Sequence, residues 1–115
     1  MNVFYALAEP RRRKIIEILA NSGRLSATEI CDNFKITPQA ISQHLKVLLK
    51  AKILRMEKHA QQRIYQINPD SILEVEKWTK QMRSLWSERF AALDKVLEEE
   101  KRKTHNKKGN RNDRQ

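Results

Sequence analysis

The residues with the clearest potential for chemistry lie in the stretch TPQAISQHLKVLLK, from Thr37 to Lys50. Thr37 can cap the start of a helix, and Pro38 suits the first helical position because its missing N–H would be unpaired there anyway. Apolar residues then recur at helical spacing on one face. The opposite face is polar at its start and cationic further along, with Gln39, Ser42, Gln43, Lys46 and Lys50. Amides and hydroxyls can hydrogen-bond base edges while lysines contact phosphates, so the pattern is that of a DNA recognition helix. An ordinary solvated helix face is the alternative.

A second short helix is predicted immediately upstream. Ser26 and Glu29 form a capping box, in which each side chain accepts a hydrogen bond from the other residue's backbone N–H. Beyond them, four apolar residues fall on one face, and a break at 33–36 leads into the Thr37 helix; the four are Ala27, Ile30, Cys31 and Phe34. Two short helices separated by a turn of about three to four residues form a helix-turn-helix.

The periodicity changes after Lys50. Residues 53–58 and 63–67, ILRMEK and RIYQI, have the alternation and residue types of strands, and a polar hairpin tip at 59–62 lies between them. A two-stranded hairpin is marginally stable alone, so we expect it to pack on the helices as a wing. Arg63 and His59, with Lys58 nearby, are candidate contacts to a minor groove or to phosphates. Ordinary surface charge is the alternative.

Charge and length indicate the class of partner. The chain has 115 residues and a net charge of +10, which suits one domain with a tail that binds a polyanion: nucleic acid first, an anionic membrane surface second. No apolar run approaches about 18 residues and no leader opens the sequence, so we expect a soluble cytoplasmic protein, nucleoid-associated when bound to DNA. Residues 1–100 are the predicted DNA-binding and dimerisation domain. Residues 101–115, with seven basic residues and one acidic, are a predicted disordered basic tail that adds phosphate affinity or solubility.

The first half of the chain also has an N-terminal helix signal. A helix is predicted from Pro10 to a stop at Gly23. The basic run from Arg11 to Lys14 is unfavourable at the positive end of that helix. It is either a solvated face or is offset by a DNA phosphate or an acidic neighbour. The apolar segment 1–7 should pack against something, such as a partner chain.

A last helix is predicted from a cap at 68–70 to about Glu100. About 30 helical residues span roughly 45 Å, more than a domain of this size covers, yet apolar residues continue along one face almost to the end. A second copy of this helix, joined by the apolar N-terminus, would cover the stripe symmetrically. Packing within one chain is the alternative. We expect a homodimer with contacts from Phe4, Leu7, Trp78, Met82, Leu85, Trp86, Leu93 and Val96.

Together these stretches resemble the ArsR-type winged helix-turn-helix repressors. The resemblance runs from about Leu7 to Glu99 and is carried by LAEPRRRKIIEIL, by ATEIC and ITPQAISQHLKVL, and by a wing ending in RIYQINP. The final helix, WTKQMRSLWSERFAALDKVL, is similar to a narrower branch, the metal-independent SdpR-like autorepressors, which are often found beside the gene they control. The resemblance implies a mainly α fold with a two-stranded β wing and a long C-terminal dimerisation helix, bound to an imperfect inverted repeat. It implies base readout by part of the helix and the wing, and the full set of candidate DNA contacts is Thr37, Gln39, Ala40, Ser42, Gln43, His44, Lys46, His59 and Arg63.

Two wing positions depart from that family. The family usually has Gly just before the first wing strand and at the wing tip, where this chain has Lys52 and Ala60. Both positions favour a residue free to adopt positive φ. We therefore expect a wing of different shape or greater mobility.

No metal site or cofactor is expected. Tetrahedral zinc needs several N or S ligands at close spacing, but His44, His59 and His105 lie on separate elements. Cys31 is alone, on an apolar helix face, and is predicted to be a buried inert thiol. His44 is either a structural histidine at a helix contact or a DNA contact.

The sequence thus predicts a sequence-specific DNA-binding transcriptional regulator, a dimeric repressor of an inverted-repeat operator, with autorepression as a further expectation. The alternative is a winged-helix interaction module whose basic surface binds an acidic protein. An enzyme is not expected, because no carboxylate pair, nucleophile–His arrangement or Gly-rich phosphate loop is visible in the sequence. The expected partners are double-stranded DNA and a second copy, with no membrane. Relief of repression by an effector ligand, by a sequestering protein or by no signal at all stays open.

Overall fold

The structure is a computed structural model that describes residues 2–108, with side chains to Thr104. In chain order its elements are α1 (Val3–Leu7), α2 (Pro10–Ser22), β1 (Leu25–Ser26), α3 (Ala27–Cys31), α4 (Pro38–Lys50), β2 (Leu54–His59), β3 (Gln62–Ile67) and α5 (Pro69–Lys108). The chain divides between Glu76 and Lys77 into two units. The first holds α1 to β3 and the start of α5, and the second is the rest of α5.

Local sequence signals set the bounds of α2. Pro10 occupies the first turn, and the carboxylate of the N-cap Glu9 accepts hydrogen bonds from the backbone N–H groups of Arg11, at 2.8 Å, and Arg12, at 3.2 Å. At the other end Gly23 adopts a φ of 88° and its N–H donates to the Leu19 carbonyl. Positive φ favours Gly at a helix end. The predicted start at Pro10 and stop at Gly23 are confirmed.

The basic run at the start of α2 holds the short helix α1 in place. Arg12 is buried; its Nε donates to the Ala6 carbonyl at 2.7 Å and its Nη2 to the Tyr5 carbonyl at 3.2 Å. Arg13 donates from Nη1 to the Leu7 carbonyl at 2.6 Å. Cations are favourable at the last carbonyls of a helix, which lack intrahelical partners. The run is therefore offset partly by the acidic neighbour Glu9, one of the alternatives predicted from the sequence, and partly by the end of α1, which was not predicted.

The core of the first unit is mostly aliphatic; the helices, the loop residue Ile53 and the strand residues Leu54 and Tyr65 contribute to it. Its fully buried large side chains are Ile15, Leu19, Ile30, Ile41, Leu48 and Ile53. Each such side chain stabilises the fold by about 1.5–3 kcal/mol relative to exposure. On α4 the buried residues are Ile41, Leu45 and Leu48, the apolar face predicted from helical spacing.

The sheet has three antiparallel strands in the order β1-β3-β2, where the sequence predicted a two-stranded wing. Strands β2 and β3 pair from Leu54 opposite Ile67 to His59 opposite Gln62, so the loop is shorter than predicted. The added strand β1 contributes two residues, Leu25 and Ser26, to the β3 edge. A strand this short has no recognisable alternation, which is why the sequence did not show it.

Helix α5 continues to Lys108, beyond the end predicted at about Glu100. Lysine and arginine are good helix formers and are favourable near a helix C-terminus, so the basic composition permits this extension. Residues 101–108 of the predicted disordered tail are thus helical, and 109–115 lie outside the described residues. Within the described part of the chain, no helix combines the length and apolar character needed to cross a membrane.

Candidate nucleic-acid interface

The predicted recognition helix is α4, and its start is fixed by Thr37. The Thr37 Oγ1 accepts a hydrogen bond from the Ala40 N–H at 3.1 Å, and Pro38 follows at the first helical position. Because Ile41, Leu45 and Leu48 anchor one side in the core, the opposite side is presented to solvent. That exposed side carries the predicted polar and basic residues Gln39, Ser42, Gln43, Lys46 and Lys50. Ala40 is half-buried at the edge of this face.

Helix α3 and the following turn set the position of α4. The capping box is present: the Glu29 N–H donates to the Ser26 Oγ at 3.2 Å, and the Ser26 N–H donates to the Glu29 Oε1 at 2.8 Å. The turn after α3 is closed by backbone hydrogen bonds from Asn33 to Ile30 and from Phe34 to Cys31. Phe34 packs against the core, which holds the turn down and confirms the helix-turn-helix.

The base of the wing is tied together by Asn68. Its Nδ2 donates to the Lys52 carbonyl at 2.9 Å, while its Oδ1 accepts from the Arg55 Nη2 at 3.0 Å and from the Asp70 N–H at 3.2 Å. The hydroxyl of Ser71 also donates to the Lys52 carbonyl. One side chain therefore connects the entry to β2, β2 itself and the start of α5.

The wing tip is charged and exposed. His59 Nε2 lies 3.5 Å from Glu57 Oε2 and 3.4 Å from Arg24 Nη2, and Arg24 is also 3.9 Å from that carboxylate oxygen. The predicted contact Arg63 stands directly opposite Lys58 in the β2–β3 ladder. Like charges directly opposite each other are unfavourable in a free hairpin. An anion between them would remove that cost, so the pair is suited to a phosphate.

Two wing residues have left-handed backbone conformations, Lys52 with a φ of 63° and Ala60 with a φ of 57°. These are the two positions at which the resembled family usually has Gly. A residue with a Cβ costs about 1–2 kcal/mol in this conformation. The strands nevertheless pair in register along the whole ladder. The lack of glycine therefore shows as backbone strain rather than as altered strand pairing.

His44 differs from the other predicted DNA contacts on α4. Its side chain is 16% exposed, with Nε2 3.8 Å from Glu9 Oε2 and Nδ1 3.4 Å from Arg12 Nη1. The structure thus gives His44 partners within the protein, while Gln39, Ser42, Gln43 and Lys46 are exposed. Its contact with DNA stays a prediction.

The predicted dimerisation residues are found in both units. In the first unit Leu7 packs against the core and Phe4 is 38% exposed. In the second unit α5 carries a stripe of apolar side chains with exposed fractions of 37–62%: Trp78, Met82, Leu85, Trp86, Phe90, Leu93, Val96 and Leu97. Within it the Trp86 and Phe90 rings meet edge to face, with centroids 4.9 Å apart and an interplanar angle of 88°. We call these eight residues the α5 stripe.

Several residues that could shape the interface were missed from the sequence. Arg24 reaches the wing only because β1 pairs with β3, and no sequence signal marks that pairing. The opposition of Lys58 and Arg63 follows from the hairpin register, which the two-residue loop fixes. Cys31 is half-buried, not buried as predicted, and its thiol is free. Within the described residues, no group of three or more His, Cys, Asp or Glu side chains is placed to hold a metal ion.

A capped helix with an exposed polar and basic face, preceded by a short helix and a tight turn and followed by a β hairpin, defines a winged helix-turn-helix protein. Three comparisons with known proteins agree with this class. The model of the family "Bacterial regulatory protein, arsR family" matches residues 9–55. The transcriptional repressor SdpR of Bacillus subtilis (strain 168) is 32% identical over 77 residues, which cover 67% of this chain and 84% of that protein.

Solved structures give the same result. The crystal structure of an ArsR family transcriptional regulator matches with a TM-score of 0.68 and 26% identity over 74% of this chain and 87% of that chain. The homodimeric winged helix-turn-helix DNA-binding domain of a Mycobacterium bovis protein shares the fold, with a TM-score of 0.58 and 20% identity over 71% of this chain and 75% of that chain.

The chain belongs to the arsR family of bacterial regulatory proteins. It is a DNA-binding transcriptional regulator, and the prediction of a mainly α winged helix-turn-helix with a long C-terminal helix is confirmed. The alternative of a protein-interaction module is not favoured.

Proposed function

We propose that this chain is a homodimeric repressor that occupies an inverted-repeat operator in the cytoplasm, and that its own promoter is among its targets. The observation that carries the proposal is the exposed face of α4. Its polar residues Gln39, Ser42 and Gln43 come first and its cations Lys46 and Lys50 follow, on a helix whose other side is locked into the core. This order suits a helix that places its N-terminal residues at base edges and its later cations near phosphates.

The wing supports the same reading. Lys58 and Arg63 are exposed directly opposite each other, and an anion is the partner that would stabilise them together. The net charge of +10 adds a general attraction to DNA. In this proposal α4 reads base edges while the wing contacts the backbone or the minor groove.

The α5 stripe supports dimerisation. Stripes of this kind are uncommon on monomeric surfaces, and two tryptophans make association favourable. A second copy of the same stripe is the partner that a two-fold axis supplies without any further protein. The homodimeric winged-helix relative shares this fold, and a two-fold dimer would present two α4 helices to the two halves of an inverted repeat.

The operator is tested with two substitutions of opposite character, measured on a duplex footprinted upstream of the chain's own gene and on a random duplex. Gln43→Ala should weaken operator binding by at least about fivefold and leave random DNA unaffected, because a base contact is worth about 1–3 kcal/mol of discrimination. Lys46→Ala should weaken both duplexes. It should also reduce the magnitude of the negative slope of log affinity against log salt concentration by about 1.8 for a dimer, since each lost phosphate contact contributes about 0.9.

Lys80→Ala is the matched control, because Lys80 is an exposed lysine on α5 and not on α4. It should leave operator specificity unchanged and the salt slope nearly so. If Gln43→Ala and Lys46→Ala both leave operator affinity intact, α4 is not the reading helix. Equal affinity of the unaltered protein for every duplex would contradict the operator, and selective binding of an acidic polypeptide instead would favour the interaction-module function.

The signal that relieves repression is a separate part of the proposal. A small ligand or a sequestering protein would have to act on the dimer or on α4, because those elements carry the proposed activity. Reporter expression from the chain's own promoter, with and without the intact gene, tests autorepression directly. Expression that does not rise when the gene is deleted would contradict it.

A further inference from the structure

His44 is half-buried, whereas the polar residues Gln39, Ser42 and Gln43 on the same helix are exposed. It follows Gln43 directly in the chain, but its ring contacts two residues of the α1–α2 region. Nδ1 lies 3.4 Å from Nη1 of Arg12, and Nε2 lies 3.8 Å from Oε2 of Glu9. The side chain is 16% exposed. Nδ1 of His44 therefore faces a cation, and Nε2 faces an anion.

The guanidinium of Arg12 is fixed by its remaining contacts. Its Nε and Nη2 donate to the carbonyls of Ala6 and Tyr5, and its Cζ lies 5.3 Å from the centroid of the Tyr5 ring. The residue is 8% exposed. With two of its nitrogens committed to α1, Nη1 is left pointing at His44.

This geometry selects one form of the neutral imidazole. A guanidinium can only donate hydrogen bonds, so Nδ1 of His44 must be the acceptor and carries no proton. The ring proton then lies on Nε2, the nitrogen nearest the Glu9 carboxylate. That tautomer meets both neighbours favourably, whereas the other would place an N–H against the Arg12 donor and a lone pair against the carboxylate.

The cluster joins three helices at one point. Arg12 binds the last carbonyls of α1, Glu9 caps the start of α2 through the backbone of Arg11 and Arg12, and His44 belongs to α4. Both α1 and α2 pack against α4. We therefore expect a change in the Arg12–His44 contact to alter how α4 packs against α1 and α2. His44 is the immediate neighbour of Gln43, which is proposed to read bases.

We propose, in place of the base contact predicted for His44, that Arg12 and His44 are positioning residues for DNA reading. Arg12 holds the neutral His44 ring in its Nε2–H form and so fixes how α4 packs against α1 and α2, and His44 itself contacts no base. The effect on operator affinity rests on the proposed function. The tautomer rests only on the contacts within the protein, so the two parts fail separately.

The tautomer is measured on the full chain without DNA, by nitrogen-15 NMR of the histidine rings at alkaline pH. His44 is assigned by the signal that His44→Asn removes. The Nε2–H form is expected in the unaltered protein, and a tautomer mixture is expected in Arg12→Met. Arg11→Met is the matched control, since Arg11 is exposed and is the immediate neighbour; it should leave the ring in the Nε2–H form. An Nδ1–H ring or an unbiased mixture in the unaltered protein would overturn the proposal.

Operator affinity is measured as a double-substitution cycle with Arg12→Lys, His44→Ala and both together, on the footprinted duplex. Each single change should weaken binding about tenfold, or about 1.4 kcal/mol, and the double change should also weaken it about tenfold because one shared contact is lost. His44→Asn should restore most of the affinity, since its Oδ1 can still accept from Arg12. A double variant about a hundredfold weaker than the unaltered protein would indicate an independent DNA contact by His44 and overturn the positioning role. If the unaltered protein binds no duplex selectively, the operator proposal fails and the ring tautomer alone decides the Arg12–His44 contact.

Discussion

Replacing Ala60 by glycine should stabilise the protein, although glycine usually weakens a fold. Ala60 is the first of the two residues in the β2–β3 loop and has a φ of 57°. A hairpin loop with positive φ at its first central residue normally has glycine there. Relief of the left-handed conformation is worth about 1–2 kcal/mol, and the greater freedom of glycine in the unfolded chain costs about 0.5–1 kcal/mol. The expected net stabilisation is about 0.5–1 kcal/mol.

For a domain of this size that gain corresponds to a rise in Tm of about 2–8 °C. Thermal and urea unfolding of Ala60→Gly measure it, and Lys52→Gly should behave likewise because its φ is 63°. Gln61→Gly is the matched control: Gln61 is the other loop residue and does not have positive φ, so glycine there should destabilise by about 0.5–1 kcal/mol. If Ala60→Gly lowers the stability as much as Gln61→Gly does, the left-handed conformation costs nothing and the reasoning is refuted.

Three further changes probe the wing and the α5 stripe. Asn68→Ala should destabilise the fold by about 1–2 kcal/mol in urea unfolding, because its side chain loses three hydrogen bonds. The control Gln66→Ala, on β3, should change the stability by no more than about 0.5 kcal/mol. Equal effects would contradict the role of Asn68 at the wing base. Arg63→Gln should stabilise the DNA-free protein by about 0.2–1 kcal/mol by relieving its repulsion with Lys58, yet weaken DNA binding; a loss of stability with unchanged DNA affinity would contradict the phosphate assignment. Trp86→Lys should convert the dimer to monomers, as measured by light scattering at micromolar concentration. Ser84→Lys should leave the dimer intact, because its helical spacing places Ser84 on the side of α5 opposite the stripe. Dimers in both variants would exclude the α5 stripe as the interface.

The parts of the fold that the sequence predicted are those that depend on local chemistry. The bounds of α2 follow from Pro10 and Gly23, the start of α3 from its capping box, and the start of α4 from Thr37 and Pro38. Each is a signal confined to a few residues, so no knowledge of the tertiary structure is needed to read it. The apolar spacing along α4 then determines which side is exposed, and with it most of the candidate site.

The parts that the sequence did not predict depend on contacts between distant residues. The roles of Arg12 and His44 arise from residues 32 positions apart, and the wing-tip contact of Arg24 with His59 spans 35 positions. Strand β1 forms because β3 offers it an edge, and it is too short to have a pattern of its own. Lys52 and Ala60, where the family usually has glycine, lie between these cases. Their positive φ was predicted through the family resemblance, but the expected change in wing shape is not reflected in the strand pairing.

Hydroxyl-radical footprinting of the promoter upstream of the chain's own gene tests the central claim most directly. Two copies of α4 related by a two-fold axis should protect two half-sites on the same side of the duplex, with centres a whole number of helical turns apart, about 10–10.5 base pairs for each turn. The two protected sequences should be inverted copies of each other. Protection of one isolated half-site, or uniform protection along the whole fragment, would contradict a dimer that reads DNA through paired recognition helices.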